Sequence, residues 1–287
     1  MDSTATFSSA WVDAKFRHAN DLLRSIDVQV KEFNDRQLVL AKPHQVDEFT
    51  YEFRLSIGGQ PPIEEWSLIL GDALHNLRSA LDTLAWELAN LERAPKHPTK
   101  IYYPLATDED DWSARWAPVL ESVPDVYLER MKNTQSFSGG TAKQALRDLH
   151  QLDIADKHRG LLRAEASIEE FPYELDLQVG DGITPVDGTL TPLTLPNASD
   201  FVEGNAMFGH RADVALQVRG PQSINVPVIP ALYLDGSKYR ALQFASQLSV
   251  LVALTIDRVC LGEDEAINRA INAGVLEVLG EQPVEGE

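Results

Sequence analysis

Cysteine is almost absent from the sequence, since Cys260 is the single one among 287 residues. One cysteine excludes an internal disulfide framework and a cysteine-rich zinc site. Basic residues are also scarce: 25 Lys and Arg stand against 44 Asp and Glu, a formal net charge of -19. A chain this acidic repels a phosphate backbone and anionic lipids on average, which disfavours non-specific nucleic-acid binding and membrane binding.

Targeting and membrane signals are missing as well. Residues 1–6 have neither a basic region nor an apolar core, so no secretory signal is predicted. The longest apolar stretch, residues 241–256, contains Gln243, Ser246, Gln247 and Ser249 and is shorter than the ~20 residues of a membrane span. It predicts a core helix instead. With the lone cysteine, these features favour a cytoplasmic protein.

Common enzyme signatures are also absent from the sequence. There is no phosphate-cradling glycine loop, no Gly-x-Ser-x-Gly elbow, no His-Glu-x-x-His helix and no dinucleotide fingerprint. The sequence therefore predicts no cofactor and no metal. Trp112 and Trp116 are interpreted as core anchors, and Cys260 as a small buried apolar residue.

Hydrophobic periodicity predicts four main helices, over residues 9–35, 63–93, 142–159 and 236–261, and a short helix around 264–279. The first helix depends on apolar residues at helical spacing: Trp11, Ala19, Leu22, Ile26, Val30 and Phe33. The second has the strongest pattern, a leucine seam that consists of Trp66, Leu70, Leu74, Leu77, Leu81, Leu84, Leu88 and Leu91. Such a seam must pack on another element, and a homo-oligomer joined through it is one hypothesis.

Strands are predicted where apolar and polar residues alternate. Residues 49–57 alternate strictly, and residues 37–41 are their expected partner, joined through residues 43–47. Further strands are predicted at residues 173–179, 214–218 and 225–234, the last at a sheet edge because it contains Pro227 and Pro230. Strands follow strands, so the order predicts an α+β fold, a largely antiparallel sheet (an N-terminal hairpin and a C-terminal meander) packed by long helices.

The domain organisation predicted from this order is a single α+β domain over residues 1–262. Its helical part covers residues 1–165, its β-rich part covers residues 166–235, and its core helix covers residues 236–261. Residues 263–287 are predicted to form a short helix and a mobile tail. A split into two domains near residue 165 is the alternative.

One polar segment lies on the second predicted helix, at residues 71–82. At about 100° per residue, His75 and Asp82 lie within about 20° of each other, and Arg78 lies roughly 40° from Asp82. This face is nearly opposite the leucine seam and is bordered by Gly71 and Trp86, which are unusual on a fully solvated surface. Two interpretations stay open: an exposed polar stripe with an Arg78–Asp82 pair, or a covered polar face.

A second polar segment lies on the third predicted helix, at residues 149–159. The apolar stripe through Leu149 and Leu152 continues into Asp153 and Asp156, and a core-facing carboxylate is costly unless it is paired or protonated. We therefore expect Asp156 or His158 to be partly buried. Residues 141–165 contain five basic and four acidic residues, which makes this a locally cationic stretch that could attract a small anion.

Together the two segments supply the residue types of a proton-transfer or anion-binding site. Histidine beside a carboxylate is suited to acid–base chemistry at neutral pH, and Arg or Lys stabilises negative charge. The candidate catalytic residues are His75, Asp82, Asp156 and His158; the candidate ligand-binding residues are Arg78, Lys157 and Arg159. The structural alternative is a buried ion-pair network, Asp82 or Asp156 with Arg78 or Arg159, that fixes the helix crossing. His75 and Asp82 lie about 10 Å apart along a helix and could hardly share one metal ion.

In these two segments the chain resembles a group of uncharacterised bacterial proteins. Their helix reads Gly-Asp-x-x-His-Asn-x-Arg-x-x-Leu-Asp, matched here by residues 71–82, and a later Asp-Lys-His-Arg is matched by residues 156–159. The resemblance covers about 30 residues and implies relatedness without an activity. The HEPN superfamily of helical ribonucleases needs His about five residues after Arg. Five residues after Arg78 stands Thr83, and after Arg159 stands Ala164, so the chain departs from that pattern.

Two functions are therefore predicted for different reasons. The polar interruption of two well-patterned helices favours a small-ligand or partner-binding module, with a small anion as the expected ligand. The His and Asp residues would also suit a hydrolase acting on a phosphoester, with His158 or His75 as acid–base residue. The sequence leaves open whether the protein is an enzyme.

Overall fold

A computed structural model describes residues 9–138, 142–159, 162, 164–169, 178–179, 190–192, 201–212, 216–217 and 223–273. Its helices and antiparallel sheets confirm the predicted α+β class. The predicted strands at residues 173–179 and 214–218 fall mostly outside the described residues. Within those segments the structure gives strands at Gln178–Val179 and Leu216–Gln217.

The first helix, α1, spans Ala10–Asp35 and confirms the predicted range to within one residue. Its buried stripe includes Val12, Ala19, Leu23 and Ile26, which recur at helical spacing. Trp11 was expected in this stripe and is instead exposed. The buried stripe is shifted by one residue from the predicted one, with Val12 buried in place of Trp11 and Leu23 in place of the partly exposed Leu22.

A hairpin follows, formed by β1 (Val39–Asp47) and β2 (Thr50–Ile57) in antiparallel register. The predicted strand partner, residues 37–41, is too short, because the chain stays extended through residues 43–47 and pairs with β2. The described part of β8 (Ile224–Asn225) pairs only with Leu40 and Ala41. Pro43 therefore lies where β8 does not pair with β1, a position at which a residue without an N–H is tolerated.

Helix α2 spans Ile63–Ala89 and contains the leucine seam, of which Leu91 lies beyond the helix end. From Trp66 to Leu88 the seam residues are at most 1% exposed. They are covered within the chain itself, so the seam cannot join two copies, and the predicted contact through it is wrong. Homo-oligomerisation through another surface stays a prediction.

Short helical turns follow α2. They comprise a 3-10 turn at Pro98–Lys100, α3 at Glu109–Asp111, a π-helical turn at Trp112–Trp116 and α4 at Ala117–Val119. Helix α5 (Asp125–Asn133) and a 3-10 turn at Ser136–Ser138 come next. Trp112 and Trp116 are both buried, which confirms their interpretation as core anchors. Helix α6 spans Ala142–Arg159, as predicted.

The remaining strands are β3 (Glu165–Ile168), β4 (Gln178–Val179), β5 (Leu190–Pro192), β6 (Ala206–Ala212), β7 (Leu216–Gln217), β9 (Val228–Leu234) and β10 (Ser237–Arg240). Among the described residues they form sheets ordered β5-β6-β2-β1-β8, β10-β9-β3 and β4-β7. The predicted edge position of the Pro230 strand is wrong, because β9 lies between β3 and β10. Pro230 faces Ala166 in the antiparallel register with β3.

Helix α7 spans Ala241–Leu261 and begins later than predicted. Asp235 and Gly236 have φ values of 49° and 83°, which suit a tight two-residue hairpin turn, so the next four residues form β10 instead of helix. Helix α8 spans Glu263–Asn272. Among the described residues, α7 alone has the length and hydropathy of a membrane span, a test that core helices of soluble proteins also pass.

The chain divides into two compact units, each assembled from separate stretches. The helical unit comprises described residues within 1–26, 65–163 and 233–287, and contains most of α2 together with α6 and α7. The β-rich unit comprises described residues within 27–64 and 164–232, and contains the β1–β2 hairpin. The domain bounds inferred from sequence stay a prediction. All the side chains discussed as a candidate site belong to the helical unit.

Candidate functional site

Helix α6 comes close to helix α2 at Gly71. A Cβ atom added there would lie 2.6 Å from Oδ1 of Asp156, closer than real Cβ contacts come, so a larger residue would require this carboxylate to move. The same Oδ1 accepts a hydrogen bond from the backbone N–H of Leu162, at 3.1 Å. Asp156 thus ties the segment after α6 to the helix, and Gly71 lets it do so against α2.

One turn further along α2, His75 pairs with Asp153 of α6. Its Nδ1 lies 2.8 Å from Asp153 Oδ1, and the two side chains are 44% and 6% exposed. The two polar segments therefore meet in space. Sequence periodicity places Asp153 on the core-facing stripe, and the structure shows the histidine that partners this buried carboxylate.

The His75–Asp153 pair leaves one ring nitrogen available. Because the carboxylate holds Nδ1, the neutral ring presents the lone pair of Nε2, and the protonated ring presents a second N–H there. Within the described residues, Nε2 of His75 makes no hydrogen bond. A half-exposed imidazole oriented by a buried carboxylate can accept a proton from a ligand, or can donate a hydrogen bond to one.

Arg78 and Asp82 lie further along α2 and bind a different part of the chain. Arg78 Nη2 lies 2.7 Å from Asp82 Oδ1 and also donates to the carbonyl oxygen of Tyr103, at 2.9 Å. Asp82 Oδ1 accepts the Tyr103 backbone N–H, also at 2.9 Å. Two side chains one turn apart thus bind both the backbone N–H and the backbone carbonyl oxygen of Tyr103. We call this arrangement the Tyr103 clamp.

Residues after helix α5 also bind Tyr103 and its neighbour Ala106. The Tyr103 hydroxyl and the Thr134 hydroxyl lie 2.6 Å apart, and the Ala106 N–H donates to the Gln135 side chain. Burial raises the pKa of Tyr103 well above its usual range, so the phenol stays neutral. Nη1 of Arg78 has no hydrogen-bond partner among the described residues, although the residue is only 5% exposed.

The structure thus separates the residues that the sequence grouped into one candidate site. His75 and Asp156 lie at the α2–α6 contact, whereas Arg78 and Asp82 face Tyr103. Arg78 is buried and Asp82 is partly buried, so this pair is not an exposed stripe, and its ion pair lies within α2 instead of joining α2 to α6. The other candidates close α6, and their side chains lie outside what the structure describes: Lys157, His158 and Arg159. No group of three metal-ligating side chains occurs within the described part of the chain.

Two further polar residues, which the sequence analysis did not single out, lie near the His75–Asp153 pair. Lys15 of α1 donates from Nζ to Ser79 Oγ, at 2.7 Å, and Ser79 lies one helical turn after His75. Helical spacing alone could have pointed to Ser79. Nothing in the sequence connects it to Lys15, which is 64 residues away.

Comparison of the chain with protein-family models, with curated proteins and with solved structures found no match.

Proposed function

We propose that the α2–α6 contact is a binding site for a small ligand that carries an anionic group, a phosphate or a carboxylate. The observation that carries the proposal is the geometry of His75. Its Nδ1 is held by Asp153 at 2.8 Å, and its half-exposed ring presents Nε2 outward. When the ring is protonated, Nε2–H is a fixed, charge-assisted donor for an anion.

The surroundings support an anionic ligand. The stretch that contains α6 is locally cationic, with five basic and four acidic residues over 141–165, in a chain of net charge -19. The carboxylate nearest to the ring, Asp153, is paired with it. A small anion would therefore meet less repulsion here than at most of the surface, whereas a long polyanion would be repelled by the rest of the chain.

The test follows the ring resonances of His75 by NMR while inorganic phosphate, or separately acetate, is added. We expect saturable shifts of the His75 signals, which the His75→Gln variant identifies by their loss. His44 is the internal control, because it lies exposed on β1 in the β-rich unit and should not respond. If neither anion moves the His75 signals at tens of millimolar, the proposal is wrong.

A second function is favoured by the chemistry of the same pair. A neutral imidazole whose Nδ1–H donates to a buried carboxylate is oriented to remove a proton from water with Nε2. On a bound phosphoester, that water would attack phosphorus, and the ester oxygen would leave with its electron pair. This is the hydrolase alternative, with His75 as general base and Asp153 as the residue that positions it.

The hydrolase alternative is tested with p-nitrophenyl phosphate. His75→Gln should lower kcat by roughly 10²–10⁴-fold, the usual contribution of a positioned general base. His44→Gln is the matched control and should retain the wild-type rate. Equal rates for the wild type and for His75→Gln would exclude His75 as the base, while leaving the anion-binding proposal to its own test.

A further inference from the structure

We propose that Lys15 and Ser79 form the phosphate-holding half of this site, so that its ligand is a phosphomonoester in preference to a carboxylate. The inference rests on the proposed anion-binding function and extends it to two residues of α1 and α2. The hydrogen bond from Lys15 Nζ to Ser79 Oγ, 2.7 Å long and partly buried, places an ammonium group one turn from His75.

The ammonium group of Lys15 has no carboxylate partner among the described residues. Its hydrogen-bond partner is the neutral Ser79 hydroxyl, and it forms no ion pair in the part of the chain that the structure describes. The residues one turn away on α1 include no carboxylate: Trp11, Val12, His18 and Ala19. A partly buried ammonium that lacks a countercharge is stabilised by an anionic ligand.

Three other described lysines pair with carboxylates: Lys31 with Asp35 at 2.6 Å, Lys96 with Glu121 at 2.8 Å, and Lys132 with Glu109. Lys42, Lys100 and Lys238 form no ion pair among the described residues, and they also lack the hydroxyl partner that Lys15 has. Acidic residues outnumber basic ones by 44 to 25, so carboxylates are abundant as partners. Lys15 differs from these lysines because its ammonium group is held by a neutral hydroxyl one helical turn from the His75–Asp153 pair, where an anionic ligand would supply the countercharge.

The helical positions of His75 and Ser79 place both side chains within reach of one phosphate group. His75 and Ser79 are four residues apart, which is about 6 Å along the helix axis and about 40° around it. Charge-assisted hydrogen bonds of about 2.8 Å from each side allow a single tetrahedral group to bridge that gap. Lys15, Ser79 and protonated His75 then supply three donors. A dianionic phosphate matches them better than a carboxylate, which has two oxygens and one charge.

Nearby carboxylates do not cancel this cationic edge. Asp153 is engaged by His75, and Asp82 is engaged by Arg78 and the Tyr103 backbone. Asp156 is turned to the Leu162 N–H at the end of α6. Asp72 is exposed and lies about 60° around α2 from His75 and about 20° from Ser79, but it is seven residues, about 10 Å along the helix axis, before Ser79.

The experiment repeats the His75 titration in Lys15→Met, which keeps the aliphatic stem and removes the charge. We expect the affinity for inorganic phosphate to fall about tenfold or more, and the affinity for acetate to fall less. Lys31→Met is the matched control, since that exposed lysine on the same helix is paired with Asp35 and should leave phosphate binding unchanged. Ser79→Ala is a second, milder variant, expected to weaken phosphate binding without removing a charge.

The outcomes separate this inference from the function on which it rests. If wild-type His75 responds to neither anion, the proposed function itself fails. If phosphate shifts the wild-type signals and binds Lys15→Met and Ser79→Ala equally well, the binding function stands and the role of Lys15 and Ser79 is overturned. Acetate binding as tightly as phosphate would overturn the assignment to phosphomonoesters.

Discussion

Replacing Gly71 with alanine tests the α2–α6 contact directly. In an ordinary helix interior this change stabilises the protein by about 1 kcal/mol. Here the new Cβ would lie 2.6 Å from Oδ1, 2.9 Å from Cγ and 3.0 Å from Oδ2 of Asp156, so the carboxylate must move. Oδ1 is also the acceptor of the Leu162 N–H, and a hydrogen bond to a charged group contributes about 1.5–3 kcal/mol.

Overpacking of a tight contact adds a cost of about 1–3 kcal/mol. With the lost hydrogen bond included and the gain of about 1 kcal/mol in helix propensity subtracted, Gly71→Ala should lower the free energy of unfolding by about 1.5–5 kcal/mol. Urea unfolding followed by circular dichroism measures it. The matched background is Asp156→Ala, in which the clash is gone and the glycine replacement should be neutral or stabilising by up to about 1 kcal/mol. Stabilisation by Gly71→Ala alone, or an equal loss in both backgrounds, would refute this account of the contact.

Three further predictions follow from the buried polar groups. Arg78→Ala breaks the Tyr103 clamp and should lower the free energy of unfolding, measured in urea, by about 2–4 kcal/mol. Arg54→Ala removes an ion pair whose arginine is more exposed and should lower it by less than about 1 kcal/mol. Similar losses in the two variants would contradict the clamp. Burial raises the pKa of Cys260 to about 11, so a thiol reagent should label the folded protein far more slowly than the urea-unfolded chain, and equal rates would be inconsistent with that burial. Burial also raises the pKa of Asp148, so Asp148→Asn should raise the Tm at neutral pH by about 1–3 °C. This gain should disappear in acid, where wild-type Asp148 is protonated in both the folded and the unfolded protein. Exposed Asp27→Asn is the control, and a gain that persists in acid would contradict the prediction.

The features that the sequence predicts well are local. The bounds of α1 and α6 and the start of α2 follow from apolar spacing, capping and composition within a few turns. The Asp235–Gly236 turn is also local, but the helical pattern that follows concealed it, so α7 was predicted to begin too early. The central position of β9 was missed because pairing with β3 and β10 depends on partners outside the strand.

In the candidate site, too, local features could be predicted from the sequence and contacts between distant residues could not. The buried carboxylates of α6 were visible as breaks in an apolar stripe, because burying a charge is costly. The partner of Asp153 was not visible, since His75 is 78 residues away along the chain. The partner of Arg78 on α2 was not visible either, since Tyr103 is 25 residues away. Residue types and helical phase identify which side chains need a partner. Only the packing of the helices decides which partner each one finds.

The most direct test of the central claim is a double-mutant cycle on phosphate binding with His75→Gln and Asp153→Asn. If Asp153 acts by holding His75, each single variant should weaken phosphate binding by a similar factor, and the double variant should be no weaker than His75→Gln alone. Isothermal titration calorimetry at constant salt measures all four affinities. Independent losses that multiply in the double variant, or unchanged binding in His75→Gln, would contradict a site built on the His75–Asp153 pair.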